Sequence, residues 1–496
     1  MAGIGFELKK LFAGKGLFKK ARAYVYAGII CSGTMLLAIA LMLSVTTIAK
    51  ENGATAREND LLIVLMTYTL IGSLLICSPI QMLLTRCVAD LLFMKSYDRV
   101  LPSLYGSVTL LMAIGGPAYA LLLWFAPGVF WVDRLLSWCF FMELAILWIQ
   151  MAYITALKDY QRVFFGFLLG VITAIGCSFL LLALGLPVLT AMLSAVFLGY
   201  GVMVVCFAYT LSRYFPPGRG SLFYFCKWFG KYPSLLLIGL FSSFGAFVHL
   251  VLMWYSPISV VVDGVLRAAP AHDVAAFFAF MVSLPTVINF VVSVEVNFYD
   301  KYRKYFSAVI EDGTLGEIDQ ARGEMVTVLK QEVLQLAQVQ VFVLIAFIVL
   351  GKYFLEPIGF SREMLDMFRL MCVGYSAYGV GNSVMQLQLY FDDRMGALMT
   401  TFVFFTVNGV VTLLLINGPL LLYGVGLLVG GVLMYIVAIA RLLYYVKDVD
   451  YYVYCGQPVL AIVRDTVWDR LVRKLDERAL STEESMRANT KGESIT

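Results

Sequence analysis

Residues 25–49 read VYAGIICSGTMLLAIALMLSVTTIA, a run without one charged side chain, preceded by Lys9, Lys10, Lys15, Lys19, Lys20 and Arg22. A bilayer's hydrocarbon core needs roughly 20 apolar residues per helical span. The run is long enough to cross, and too long for the apolar part of a cleavable signal peptide, so it is expected to stay as an anchor. Eleven similar runs follow, placing twelve spans at about 25–49, 61–84, 104–125, 135–156, 163–186, 188–211, 234–255, 274–294, 338–355, 369–390, 395–416 and 420–446. Of the 496 residues, 61% are hydrophobic and 14% charged, a balance foreign to soluble globules. The chain reads as an all-α polytopic membrane protein.

Loop charges orient it, because cytoplasmic loops are enriched in Lys and Arg. Of 37 basic residues, Lys50, Arg57, Arg134, Arg267, Lys352, Arg362 and Arg369 fall on one side of the twelve-span layout and the other 30 on the opposite side. Both termini lie on the basic side and are expected in the cytoplasm. The net charge of +4 follows this asymmetry and implies lipid contact rather than nucleic acid. All nine cysteines fall in spans or on the basic side, so no structural disulfide is expected.

Five segments follow. Residues 1–23 form a cytoplasmic segment in which Ile4, Leu8, Leu11 and Phe12 share a helical face apart from Lys9 and Lys10, suited to the membrane surface. Residues 24–211 hold spans one to six. A linker, 212–233, contains Pro216, Pro217, Gly218 and Gly220, which cannot continue a helix, and then an interfacial element of Phe223, Phe225, Lys227, Trp228, Phe229, Lys231 and Tyr232. Residues 234–446 hold spans seven to twelve. Residues 447–496 form a cytoplasmic tail with a short amphipathic piece (Ile462, Val463, Val467, Trp468, Leu471, Val472, Leu475) and a polar end. The long loop from Glu295 to Gln335 contains a helix-compatible run, Glu317 to Lys330, that extends span nine inward.

The halves correspond. Pro79 stands eleven residues before Asp90 and Pro285 ten before Glu295, and the run Leu157-Lys158-Asp159-Tyr160-Gln161-Arg162 is answered by Tyr390-Phe391-Asp392-Asp393-Arg394. Six spans is an even number, so both halves enter from the same side. Two six-helix lobes related by a pseudo-two-fold axis along the membrane normal are expected, with a substrate path between them. Pro79 and Pro285 are candidate hinges.

The only histidines, His249 in span seven and His272 near the outer end of span eight, are read as separated by the topology and have no cysteine cluster beside them. No metal is expected, and no cofactor, since no glycine-rich phosphate loop is present. A charge in hydrocarbon costs at least ~2.5 kcal/mol, which singles out Glu143, about nine residues into span four, with Gln150 and Tyr153 on a similar face. They form either a polar stripe that meets substrate or a set of helix-pinning groups. Tyr375, Tyr378, Asn382 and Gln386 in span ten are spaced three, four and four and share a face. Their hydroxyl, amide and aromatic groups suit sugar rings, and interhelical hydrogen bonding is the other reading. Asn289 and Asn408 read as structural. Apart from boundary residues such as Arg86, Lys352 and Arg369, the spans lack the basic groups a lipid diphosphate would want.

The opening Met1-Ala2-Gly3-Ile4-Gly5-Phe6-Glu7-Leu8-Lys9-Lys10-Leu11, leading into Ala21-Arg22-Ala23-Tyr24-Val25-Tyr26-Ala27-Gly28 and Ser32-Gly33, resembles the PelG family over essentially the whole chain. The resemblance implies the multidrug, oligosaccharidyl-lipid and polysaccharide flippase superfamily, and export of the Pel exopolysaccharide across the bacterial inner membrane. It also implies assembly with other Pel inner-membrane subunits and a cytosolic glycosyltransferase that makes an N-acetylhexosamine-rich polymer.

The expected function is therefore passage of polysaccharide between spans one to six and seven to twelve, with no enzymatic activity in this chain. Phe223 to Tyr232, Tyr299 to Lys330 and the two tails are expected to dock partners. The alternatives are a cation-coupled multidrug-type antiporter with Glu143 as coupling carboxylate, and a non-catalytic scaffold of a polysaccharide synthase complex. A membrane-embedded glycosyltransferase would need catalytic carboxylates beside a nucleotide-sugar pocket, for which these loops are short.

Overall fold

The computed structural model describes residues 17–157, 160–218, 221–311, 313–455, 466–470 and 472–474. Residues 1–16 of the expected N-terminal segment, Lys158 and Asp159, Arg219 and Gly220 of the linker, and Ile462, Val463, Leu471 and Leu475 of the tail lie outside the described residues.

The chain is almost entirely helical, in the order α1 (Leu17–Glu51), α2 (Ala56–Phe93), α3 (Val100–Trp124), α4 (Trp131–Leu157), α5 (Tyr160–Ala183), α6 (Val188–Tyr214), α7 (Lys227–Lys231) and α8 (Pro233–Met253). A hairpin follows, β1 (Val260–Asp263) and β2 (Leu266–Ala268), then α9 (Pro270–Phe280), α10 (Leu284–Val292), α11 (Tyr299–Ile310), α12 (Leu315–Leu355), α13 (Arg362–Tyr390), α14 (Arg394–Leu415) and α15 (Val425–Lys447). Helix starts are written locally. Thr55 with Glu58 and Thr314 with Glu317 form capping boxes at α2 and α12, Ser361 accepts from Met364 N at α13, and Asp393 accepts from Gly396 N at α14. Each satisfies amide groups that a helix N-terminus otherwise leaves open.

Among the described residues, eleven helical segments are long and apolar enough to cross a membrane. The remaining expected span, 369–390, is present as α13, 29 residues long, whose tyrosines, glutamines, serines and Asn382 dilute its apolar content. Span eight is a single run broken in character: α9, a 3₁₀ turn at Met281–Ser283, α10, a π turn at Ser293–Phe298, and α11. Span nine does continue beyond bilayer length, as the 41-residue α12. The hairpin was not foreseen, although its run of three valines before Asp263-Gly264 is a strand-and-turn signal; Gly264 takes φ +53°, which favours glycine.

The chain divides into two compact units. An N-terminal unit comprises the described residues of Ala38–Leu240, Val262–Leu266 and Val459–Thr496, and a C-terminal unit those of Met1–Leu37, Phe241–Val261 and Arg267–Pro458. The divisions run inside α1 and α8, whereas the linker at 212–233 lies within the N-terminal unit.

In the N-terminal unit α2 packs on α4, α4 on α6 and α5 on α6. Glycine sets the closest approach, since a Cβ on Gly199 would stand 2.7 Å from the Gly170 carbonyl oxygen. The C-terminal unit repeats the device where α13 meets α15: a Cβ on Gly431 would fall 2.4 Å from the Gly374 carbonyl oxygen. In a membrane, where lipid tails are as apolar as leucine, such close backbone contact is a main source of helix association.

The interfacial element is α7 with the turn Tyr224–Cys226 before it. Phe225 and Trp228 are buried in protein rather than presented to lipid. The reason is Asp90, whose Oδ2 accepts from Trp228 Nε1 at 2.9 Å while Arg86 (3.1 Å) and Lys231 (3.9 Å) also approach the carboxylate. Trp468 of the tail packs on Phe229, ring centroids 5.0 Å apart. Burial pushes the neighbouring Cys226 thiol up to about 12, and reactivity belongs to the thiolate. Cys226 should therefore resist a maleimide at pH 8 in the native protein and react after unfolding in detergent. Peptide mass spectrometry reads the difference, and labelling in the native state would contradict the packing.

Candidate functional site

Glu143 sits on α4 facing α6, where a Cβ on Gly201 would stand 2.9 Å from Glu143 Oε1. The glycine makes room for the carboxylate. Glu143 Oε2 is buried and has no hydrogen-bond partner among the described residues. Gln150, one face further along α4, donates from Nε2 to the Val204 carbonyl of α6 at 3.1 Å. Tyr153 is fully buried, its hydroxyl 3.0 Å from Ser103 Oγ on α3. Gln150 and Tyr153 thus tie α4 to its neighbours, while Glu143 Oε2 and Gln150 Oε1 are both buried without a hydrogen bond to a described residue.

In the C-terminal unit the α13 stripe divides along its length. Tyr375 is buried, with its hydroxyl 3.0 Å from His249 Nε2 on α8. Tyr378 stacks on Phe404 of α14, centroids 4.9 Å apart and planes 26° apart. Asn382 and Gln386 are half-buried. Neither makes a hydrogen bond to another described residue, so a neutral polar pair on one face of α13 is left for outside partners. On its other faces α13 is fastened by amides: Gln388 donates to the Ala438 carbonyl at 3.0 Å, and Gln340 of α12 donates to Ser376 Oγ at 2.8 Å and Val282 O at 3.0 Å while accepting from Thr286. Asn408 donates to the Gly245 carbonyl at 2.8 Å. Asn289 Nδ2 is buried without a partner.

The histidines require a correction. Read as apart, they meet: His249 Nδ1 lies 3.4 Å from His272 Nε2. Their positions near the two ends joined by the short connection between spans seven and eight bring both rings to one level of the unit. Spacing along the chain, 23 residues, hides this because the connection reverses direction. Among the described residues no group of three or more metal-ligating side chains comes together.

The proline positions differ. Pro79 lies inside the continuous α2; the carbonyl it leaves without a helix donor, Leu75 O, accepts instead from Ser78 Oγ at 3.0 Å. The α2 backbone here approaches Gly239, on which a Cβ would lie 2.3 Å from Ser78 O. Pro285 occupies the first turn of α10, where a missing N–H costs no helical bond, and stands between the 3₁₀ and π turns of span eight. The side chain of Glu295 lies outside the described residues.

A family model described as "PelG: Putative exopolysaccharide Exporter (EPS-E)" matches residues 1–454. No curated protein matches the chain. Among solved structures, the eukaryotic MATE transporter AtDTX14 aligns with a TM-score of 0.58 at 12% identity, over 92% of this chain and 99% of that one. An outward-facing multidrug-resistance MATE-family transporter of the MOP superfamily gives 0.57 at 14% identity, over 91% and 99%. A MOP-superfamily transporter from Pyrococcus furiosus Vc1, whose structure is described as having a binding pocket of reverse polarity, gives 0.56 at 13% identity, over 91% and 99%. At such identities the likeness is one of fold.

Proposed function

The chain belongs to the PelG family of exopolysaccharide exporters, and from that premise we propose that it carries a Pel-type, N-acetylhexosamine-rich polysaccharide across the bacterial inner membrane. Synthesis falls to a cytosolic glycosyltransferase working with further inner-membrane subunits, which would meet the basic-rich ends of the helices. The observation that carries the reading is the family match across 454 residues of a multi-pass helical protein with a transporter fold. The half-buried amides of Asn382 and Gln386, on the same face of α13 as Tyr378, support it, because neutral donors and acceptors along an aromatic-bearing helix face suit hydroxylated, N-acetylated sugar rings.

The experiment is polymer localisation in cells that keep the synthetic machinery, lack this chain, and are complemented with wild type or with Tyr378→Ala plus Asn382→Ala. Without the chain, polymer is expected to remain in the cytoplasm. With the double variant, export should fall about thirtyfold, the effect of losing roughly 1 kcal/mol at each of two sugar contacts. Normal export in both strains would remove the proposal and leave the scaffold or antiporter. The antiporter draws on one specific feature, the unsatisfied buried oxygen of Glu143. Proton- or sodium-dependent efflux lost in Glu143→Gln would favour it.

A further inference from the structure

The chain's two histidines belong to one buried network in the C-terminal unit, with exposures of 1% for His249 and 0% for His272. His249 Nδ1 faces His272 Nε2 at 3.4 Å, and His249 Nε2 faces the Tyr375 hydroxyl at 3.0 Å. His272 Nδ1 lies 3.6 Å from Asp273 Oδ1. The carboxylate is held in place through Oδ2, which accepts from Trp254 Nε1 at 3.1 Å and from the Ala269 amide at 3.0 Å. The Ala246 carbonyl is a further acceptor at His249, and the Tyr378 ring stands 6.5 Å from that of Tyr375. Tyr375 and Tyr378 of α13 and Asp273 of α9 are thus the titratable groups turned toward the pair.

A neutral imidazole has one donor nitrogen and one acceptor. Asp273 as a carboxylate can only accept, so His272 carries its proton on Nδ1 and accepts at Nε2. His249 then donates from Nδ1 and accepts at Nε2, where the Tyr375 hydroxyl donates. With one tautomer on each ring every hydrogen points the same way, from Tyr375 toward Asp273, and the last two atoms, His272 Nδ1 and Asp273 Oδ1, are buried and face each other at 3.6 Å without a hydrogen bond to any described residue.

We propose that the His249–His272 pair is a proton-binding site, filled from the Tyr375 side and closed by the Asp273 carboxylate. In the step, the Tyr375 hydroxyl passes its proton to His249 Nε2, His249 passes its Nδ1 proton to His272 Nε2, and the tyrosine oxygen takes a replacement from hydronium. One proton is gained. It ends as a His272 imidazolium beside Asp273, which supplies the counter-charge a buried cation needs, while His249 stays neutral in the opposite tautomer. Tyr375 changes from donor to acceptor at His249, and its hydroxyl hydrogen is freed toward the rest of α13. Occupancy of the site would thereby reset the polar face that carries Tyr378 and Asn382, a link that rests on the transport reading above. A divalent metal fits this geometry poorly, because Tyr375 occupies the outer nitrogen of His249 and, among the described residues, no group of three or more metal-ligating side chains comes together where zinc closes four.

Because these are the only histidines, nitrogen-15 histidine labelling of the full chain reports on this site alone, provided purification uses a histidine-free tag. In lipid nanodiscs at high pH, both rings are expected to be protonated at Nδ1, with scalar coupling across the His249 Nδ1 to His272 Nε2 hydrogen bond. On acidification, His272 should gain a second proton while His249 moves its proton to Nε2. Tyr375→Phe should abolish the switch of His249 while the His272 to Asp273 arm remains. Rings that keep one tautomer throughout, or that titrate independently, would overturn the proposal, as would zinc ions shifting the facing nitrogens at micromolar concentration. A switch seen in a protein that exports no polymer would uphold the site and remove the transport reading; a silent pair in an exporting protein would do the reverse.

Discussion

Gly431→Leu is expected to destabilise the C-terminal unit by about 3 kcal/mol or more, the upper end of what overpacking costs. The obstacle is backbone: even a Cβ at this position would sit 2.4 Å from the Gly374 carbonyl oxygen and 3.3 Å from Tyr378 N. A side chain could rotate aside, whereas a helix must move. Displacing α13 from α15 would also carry Tyr375 and Tyr378 out of register with His249 and Phe404, so export should fall together with stability. Gly323→Ala is the matched control, since nothing lies within 4 Å of a Cβ there and alanine is the better helix former by roughly 0.5–1 kcal/mol. The check is the thermal midpoint of detergent-solubilised protein followed by size-exclusion chromatography. Equal midpoints for wild type and Gly431→Leu would show that the two backbones do not meet.

Asp393→Ala should cost about 3 kcal/mol. Asp393 is 4% exposed on its side chain and takes a bidentate pair from Arg441, Nε to Oδ2 at 2.7 Å and a terminal nitrogen to Oδ1 at 2.9 Å. Removing one partner of a buried pair leaves the other charge uncompensated, at about 3–5 kcal/mol; the lower figure applies because the Arg441 side chain keeps 29% exposure. The same carboxylate caps α14 through Gly396 N at 3.0 Å, so Asp393→Asn, which keeps an acceptor for the cap, should recover part of the loss. Arg441 also stands 5.7 Å from the rings of Tyr444 and Tyr445, which offer the stranded cation some stabilisation. In a double-mutant cycle with Arg441→Gln, the doubly substituted protein is expected to be more stable than Asp393→Ala alone. Additive losses would mean that the pair does not interact.

Much of the fold was legible in the sequence for a single reason: in a bilayer every backbone polar group must be satisfied within its own segment, so length and apolarity nearly suffice to specify a helix. The twelve spans were read that way, and α13, read as one apolar run among the others, is a 29-residue helix that falls short of the apolarity of the eleven. The continuation of span nine was visible in the helix-compatible run from Glu317 to Lys330. Polar stripes were legible as helix faces and no further. Gln150 and Tyr153 share a face with Glu143, yet they bond to α6 and α3, while the carboxylate keeps an unsatisfied oxygen.

What the sequence determined by itself is thus the succession of long apolar helices, the charge asymmetry of the loops and the periodic faces of each helix, all properties of one segment and its flanks. Only the tertiary structure decided which face meets which neighbour. That is why Tyr375 enters a histidine network while Asn382 and Gln386, on the same helix, make no hydrogen bond to another described residue. It is also why His249 and His272, 23 residues apart, stand 3.4 Å from each other. The physical reason is that membrane helices associate through close packing and a few polar contacts rather than through a hydrophobic gradient. Such contacts depend on the rotation and depth of two helices at once, as where Gly431 meets Gly374, and no periodicity within a single helix encodes them.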